Sequence, residues 1–350
     1  MSITALGMPS PPIQSAERPP SPALIDQYGR VATDLRVSVT DHCNLRCTYC
    51  MPADGLEWLS RAELLSTVEL QRLLRLAVTD LGITEIRFTG GEPLLRRDLP
   101  ELVSFAAGLR PRPDLSVTTN GLGLQHKATV LADAGLDRIN VSLDSIDREA
   151  YAAITRRDRL HDVLDGLEAA VAAGLDPVKI NAVLQRGVND DQAADLLGFC
   201  LANGYELRFI EQMPLDADHR WDRASMITAE EILDRLRERF VLTPDAAPRG
   251  AAPAQRWLVD GGPASVGVIA SVTRPFCGDC DRVRLTADGQ LRNCLFANGE
   301  TDLRKLLRTG GDDVAIAQQW RSAMWVKKAG HGIGDIGFQQ PARPMSAIGG

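Results

Sequence analysis

The sequence predicts an α/β fold: an incomplete (β/α)6, TIM-like barrel over residues 27–243, closed by a small C-terminal α+β domain over residues 244–350. Three observations carry this expectation. Six short β-like runs alternate with helical patterns between Asp34 and Gln212, which implies a parallel sheet with right-handed crossovers. Six units are too few for a closed eight-stranded barrel. The runs also have one apolar and one polar face, and this favours a barrel with a polar lumen over a doubly wound sheet.

The runs are Leu35–Thr40, Glu85–Thr89, Leu115–Thr119, Arg138–Leu143, Val178–Val183 and Glu206–Gln212. Between them lie amphipathic stretches such as TVELQRLLRLAVTDLG and HDVLDGLEAAVAAG, each ending in the Gly expected after a helix. Side chains alternate faces with period two along a strand. Leu35, Val37 and Val39 therefore oppose Arg36, Ser38 and Thr40, and Ile86 and Phe88 oppose Arg87 and Thr89. Ser116, Thr118 and Asn120 share a face, as do Arg138, Asn140 and Ser142, and Lys179 and Asn181. A buried parallel sheet is normally apolar on both faces, so a persistently polar face implies a lumen that holds a polar molecule. Arg36, Arg87 and Lys179 fall in that lumen, and no equally regular set of carboxylates is read beside them. Buried cations are costly unless paired, so the set points to an anionic ligand.

Beyond the helix-like TAEEILDRLRERF, the stretch PDAAPRGAAPA reads as a linker or mobile loop. QRWLVD, ASVGVIAS and a hairpin with Asp-Gly at its turn, VRLTADGQLRNC, then suggest a small β element, followed by two helices and a terminal Gly349-Gly350. At the other end, residues 1–26 hold six prolines and no apolar h-region, which predicts a disordered leader rather than a signal peptide. No run approaches ~18 apolar residues, so no membrane span is expected. The net charge of −7 argues against nucleic-acid binding but not against a small anionic substrate.

Six of the seven cysteines form two groups, Cys43, Cys47 and Cys50 (Cys-x3-Cys-x2-Cys) and Cys277, Cys280 and Cys294 (Cys-x2-Cys-x13-Cys). The seventh, Cys200, stands among apolar neighbours and reads as core. In the reducing cytoplasm expected for an unexported chain, clustered thiols are metal ligands rather than disulfides. Each group offers three thiolates, one fewer than a tetrahedral zinc site or a fully ligated four-iron cluster needs, so each leaves a coordination position open. A zinc knob completed by His42 is the structural alternative at the first group.

The first group, with Tyr49 before its last cysteine and with Gly90-Gly91-Glu92-Pro93 at the end of the second strand, resembles the radical S-adenosylmethionine superfamily. From Leu35 to Gly350 the chain is similar to one branch, the GTP 3′,8-cyclase (MoaA) family of molybdenum-cofactor biosynthesis. The carrying segments include DLRVSVTDHCNLRCTYC, EIRFTGGEPLLRRDL, RINVSLDSID, VKINAV, FCGDCDRVRLTADGQLRNCL and MSAIGG. The resemblance implies two 4Fe–4S clusters, one on Cys43, Cys47 and Cys50 and one on Cys277, Cys280 and Cys294. It implies S-adenosylmethionine contacts at Tyr49, Gly91, Ser142 and Met213. GTP contacts are implied at Arg36, Arg87, Thr118, Lys179, Arg208, Arg282, Val283 and Arg284, and a catalytic role for Gly349 and Gly350 in a tail that enters the site. A homodimer, a reducing electron donor and a downstream cyclic pyranopterin monophosphate synthase are implied as partners. The rival readings are a peptide-modifying radical enzyme with an auxiliary cluster, and a plain iron–sulfur electron carrier.

Overall fold

The computed structural model describes residues 7–9, 12 and 17–349. The six expected strands form as β1 (Asp34–Ser38), β2 (Glu85–Thr89), β3 (Asp114–Thr119), β4 (Arg138–Ser142), β5 (Val178–Val183) and β6 (Glu206–Ile210). They are followed by β7 (Leu242–Pro244), β8 (Gln255–Val259), β9 (Ser265–Ile269), β10 (Arg282–Leu285), β11 (Gln290–Arg292) and β12 (Thr301–Asp302). All twelve belong to one sheet, in the order β12-β11-β10-β1-β2-β3-β4-β5-β6-β9-β8-β7. The C-terminal strands thus extend the barrel at both ends. β10 runs parallel to β1 and β9 parallel to β6, while β11–β12 and β7–β8 add antiparallel edges.

The helices are α1 (Thr67–Thr79), α2 (Leu99–Ala107), α3 (Ala128–Asp133), α4 (Arg148–Thr155), α5 (Leu160–Ala172), α6 (Ala193–Asn203), α7 (Ala229–Arg237), α8 (Leu303–Arg308), α9 (Asp313–Trp325) and α10 (Met345–Ile348). Helix α1 starts at a capping box, with Ser66 and Glu69 satisfying each other's backbone N–H groups, and buries Leu70, Leu73, Leu74 and Ala77 at helical spacing. Helix α6 stops at Gly204, whose φ of 71° is the left-handed turn a glycine makes without strain. The main core lies between these helices and the apolar face of the sheet. Val37, Ile86, Phe88, Val117, Ile139, Val141, Ile180 and Phe209 are all fully buried in it, as the strand parity requires. Cys200 is buried in the same core.

The leader expected over residues 1–26 lies partly outside the described residues, and its last residues are packed into the fold. Leu24 and Asp26 are fully buried, and Ile25 bridges Val31 antiparallel. The Asp26 carboxylate accepts from the backbone N–H groups of Tyr28 and Arg30 and pairs with the Arg30 guanidinium at 2.5 Å. Composition does not encode this local knot. β7 ends at Pro244, the first residue of the stretch expected as a linker, and that stretch brings Ala251 and Pro253 to the mouth of the lumen. No helix among the described residues is long and apolar enough to cross a membrane.

Candidate active site

β1 delivers the chain into the first cysteine loop, and β2 delivers it into Gly90–Pro93 beside that loop. Gly91 N–H donates to the Thr40 carbonyl at 2.9 Å and Glu92 N–H to the His42 carbonyl at 2.7 Å. A Cβ on Gly91 would lie 2.2 Å from the Asp41 carbonyl oxygen, so only glycine permits this backbone contact. The Glu92 carboxylate, fully buried, accepts from Leu94 N–H, Asn120 N–H and the Thr119 hydroxyl. Burial nonetheless pushes it up to about 7. The loop is thereby locked to β2 and β3 before any ligand arrives.

Burial raises the Cys43 and Cys47 thiols and pushes Cys50 up to about 12, although a Ser346 backbone N–H donated to Cys50 opposes the rise. Neutral thiols at such positions become thiolates when a metal holds them. His42 stacks on Trp58 with ring centroids 5.2 Å apart. Among the described residues no three His, Cys, Asp or Glu side chains converge on a single-ion site. With His42 turned to Trp58, the first group offers three thiols, a donor set that suits three corners of an iron–sulfur cluster. Beside them the Tyr49 hydroxyl donates to the Asp144 carboxylate at 2.8 Å. Burial raises Asp144 to about 6, although this bond and the Val183 N–H favour its charged form.

At the second group, burial raises the Cys277 thiol, and the His331 backbone N–H donates to it. Cys280 differs. Burial would raise it too, but Lys327 and Arg282 outweigh burial and bring it down to about 6. Gly278 N–H donates to the Gly7 carbonyl at 2.7 Å, so part of the N-terminal segment lies against this loop.

A cavity of about 230 Å³ fills the lumen between the two cysteine groups. It is lined by Arg36, Arg87, Arg208, Arg282 and Arg284, together with Tyr49, Thr118, Ser142, Asn181 and Met213. A second cavity of about 80 Å³ touches Cys277, Cys280 and Cys294. Met213, Phe276, Arg282 and Arg284 border both. Five guanidiniums face the larger cavity against two carboxylates, Asp144 and Glu211. Glu211 is already committed: it accepts from Ala229, Val272 and Thr273 N–H groups and ties β6 to α7 and to the loop before Cys277.

Strand register explains the crowding. Arg36 stands opposite Arg284 on one side and Arg87 on the other. Burial and the field of Arg36 lower Arg87 to about 9, and the same two causes hold Arg284 well below its ordinary value. The buried Nε atoms of Arg36 and Arg87, Nη2 of Arg282 and the Thr118 hydroxyl have no hydrogen-bond partner. Asp34 partly answers the charge. Burial alone would raise it, but Arg36 and its neighbours hold it below the usual range.

Several expected positions differ. Lys179 does not line the cavity; its Nζ pairs with Glu206 at 2.8 Å. Nor is the lumen free of carboxylates, because Asp34, Glu85, Asp114 and Glu206, each at the start of its strand, share the lumen parity. Arg138 pairs with Glu85 at 2.9 Å and with Asp114. The Val283 side chain points into the core and cannot reach the cavity, since its neighbours Arg282 and Arg284 take the lumen face. Gly349 lies in the lumen, with its carbonyl accepting from Arg284 at 2.9 Å; Gly350 lies outside the described residues. Asp144, Ser271, Phe276 and Leu295 also line the cavity, although the sequence did not single them out. For Asp144 a signal existed: an acidic residue just past a buried strand, in NVSLDS.

Fold and site together define a radical S-adenosylmethionine protein. The Radical SAM superfamily model matches residues 37–200 and the Molybdenum Cofactor Synthesis C model residues 205–333. Over 350 residues, 100% of both chains, the sequence is 62% identical to the GTP 3′,8-cyclase of Mycobacterium sp. (strain KMS). It is 62% identical to that of Streptomyces coelicolor over 338 residues, 96% of this chain and 99% of the other. The chain belongs to the GTP 3′,8-cyclase family. Among solved structures, Streptococcus suis SuiB bound to S-adenosylmethionine superposes with a TM-score of 0.56 over 82% of this chain and 66% of SuiB. At 15% identity that likeness is one of fold.

Proposed function

We propose that this chain converts GTP to 3′,8-cyclo-7,8-dihydroguanosine 5′-triphosphate, the first step of molybdenum-cofactor biosynthesis. The observation that carries the reading is the set of buried, unpartnered guanidinium N–H groups on Arg36, Arg87 and Arg282 around one lumen. A triphosphate supplies the missing charge and acceptors. When bound, the first cluster and S-adenosylmethionine supply the one-electron chemistry that removes the ribose 3′ hydrogen.

The residues of the chain do the holding. Arg36, Arg87, Arg208 and Arg284 take the phosphates, with Thr118 offering a free hydroxyl and Lys179 acting from behind through Glu206. Arg282 and Phe276, 4.9 Å apart as a cation–π pair, form a wall beside the second cysteine group where the guanine sits. Tyr49, Gly91, Ser142 and Met213 contact S-adenosylmethionine, and Met213 lies where the two cavities meet. Cys43, Cys47 and Cys50 hold one 4Fe–4S cluster, and Cys277, Cys280 and Cys294 the other. Gly349 and Gly350 enter to orient the reacting ribose and exclude water from it.

In this reading residues 27–243 act as the barrel and residues 244–350 as the auxiliary-cluster unit, although their strands share one sheet. The enzyme works in the cytoplasm as a homodimer, takes electrons from a separate reductant and passes its product to a cyclic pyranopterin monophosphate synthase. The test is anaerobic incubation with S-adenosylmethionine, a reductant and GTP, followed by mass analysis. A product isomeric with GTP, with 5′-deoxyadenosine formed alongside, is expected. S-adenosylmethionine cleavage with no change in GTP would overturn the reading.

A further inference from the structure

Lys327 follows α9 and is 3% exposed. Its ammonium donates to the Arg282 carbonyl at 2.9 Å, to the Cys280 carbonyl at 3.2 Å and to the Cys280 sulfur at 3.3 Å. An ammonium has three N–H donors, and all three are accounted for. Among the described residues no carboxylate pairs with it. Arg30, a buried cation that reaches this loop from the N-terminal segment, differs in this respect: it bonds the Cys277, Lys328 and Ala329 carbonyls while pairing with Asp26. An unpaired buried ammonium is costly, and two carbonyl bonds could have been made by a neutral amide. The charge is answered only if Cys280 is a thiolate, as it is when it ligates iron. The cysteines are also treated unequally: Cys277 receives a backbone N–H from His331, whereas Cys280 receives one from Arg282 and, in addition, faces the Arg282 guanidinium and the Lys327 ammonium.

We propose that Lys327 is a positioning residue for the second cluster, a charged N–H···S donor to ligand Cys280 that raises that cluster's reduction potential. Hydrogen bonds to the ligating sulfurs and the net charge around a cluster set its potential, and a nearby positive charge favours the more negative, reduced form. The inference rests on the reading of Cys280 as a cluster ligand.

The test is an EPR-monitored potentiometric titration of anaerobically reconstituted full-length enzyme, comparing the parent with Lys327→Met, Lys327→Gln and Lys327→Arg. The first cluster, identified by its response to S-adenosylmethionine, is the internal reference. The second cluster's midpoint is expected to move to a more negative potential in Lys327→Met. A smaller move is expected in Lys327→Gln, which keeps an N–H but not the charge, and the least in Lys327→Arg. Iron content and the first cluster's potential should not change. An unshifted second cluster in the Met and Gln variants, at full iron content, overturns the proposal. Loss of the second cluster from all three variants also overturns it and leaves Lys327 as a backbone staple. If only the Met variant loses the cluster, the Gln variant decides: a negative shift supports the proposal and an unchanged potential overturns it. A parent enzyme with iron for one cluster only would refute the ligand reading itself, and its iron count distinguishes that case from the others.

Discussion

Arg284 donates from Nη1 to the carbonyl oxygen of Gly349 across 2.9 Å, tying the end of the chain to the guanidinium row of the lumen. Ser38 makes a parallel bond, donating from its hydroxyl to the Ile348 carbonyl at 3.0 Å. The tail therefore lies along β1 and β10, beside the same arginines that face the cavity. A backbone carbonyl offers Arg284 an acceptor without a charge, so the guanidinium keeps its attraction for an anion.

Gly349 is required by its surroundings. Its φ is 85°, and a Cβ there would lie 2.3 Å from the Ser38 hydroxyl and 2.7 Å from the Thr89 methyl. Gly349→Ala, or deletion of Gly349 and Gly350, should leave iron content and most GTP affinity intact while lowering cyclised product at least about tenfold, or ~1.4 kcal/mol of barrier. Product and 5′-deoxyadenosine measured side by side would check this. Undiminished cyclisation by the truncated enzyme would make the tail a frayed end.

Arg87 has a buried, unpartnered Nε, whereas Lys179 already has Glu206. Arg87→Ala should therefore weaken GTP binding more than Lys179→Ala does. Losing a charge-assisted contact costs on the order of 1.5–3 kcal/mol, about tenfold to over a hundredfold in Kd. Isothermal titration with GTP and with S-adenosylmethionine separates the cases. Equal losses for the two ligands in Arg87→Ala would point to damage to the barrel instead.

Strand parity was legible because a buried sheet face and a ligand-facing one demand different side chains, and Val37, Phe88 and Val141 against Arg36, Arg87 and Ser142 obey that rule. The acidic rim was also written in the sequence, as Asp34-x-Arg36, Glu85-x-Arg87 and Glu206-x-Arg208. Asp34 and Asp114 lie outside the hydrophobic runs because β1 and β3 start one residue earlier than those runs suggest, whereas Glu85 and Glu206 already open theirs. The parallel pairing of β9 with β6 and of β10 with β1 had no local signal, since long-range docking decides it. Val283 sits between Arg282 and Arg284, and period-two spacing sends its side chain to the opposite face.

Asp144 makes stability depend on pH in a definite direction. Burial raises its carboxyl to about 6. A carboxyl raised in the folded state is fully stabilising below the unfolded value near about 4, and that contribution is lost as pH climbs through about 6. At neutral pH the ionised group costs on the order of 3 kcal/mol. Asp144→Asn keeps an acceptor for the Val183 N–H, and its amide can face the Tyr49 oxygen. Urea unfolding of the cluster-free chain should find the variant more stable than the parent at pH 7, with the gap closing toward pH 4. A variant less stable at pH 7 would mean that Tyr49 and Val183 compensate the charge in full.

The two cysteine groups should fail differently. Cys43 belongs to the loop locked by Glu92 and Gly91, beside Tyr49 and the expected S-adenosylmethionine contacts. Cys294 borders the smaller cavity with Arg282 and Arg284, across Met213 from that loop. Cys43→Ser should cost about four irons per chain and abolish S-adenosylmethionine cleavage, because the cluster that delivers the electron is gone. Cys294→Ser should cost a similar amount of iron but retain uncoupled cleavage, with little cyclised GTP. Iron and sulfide analysis, with both products quantified under the same anaerobic conditions, separates these outcomes. Identical loss of cleavage in both variants would mean that the second group supports the first loop structurally. Zinc in place of iron at either group would end the two-cluster reading altogether.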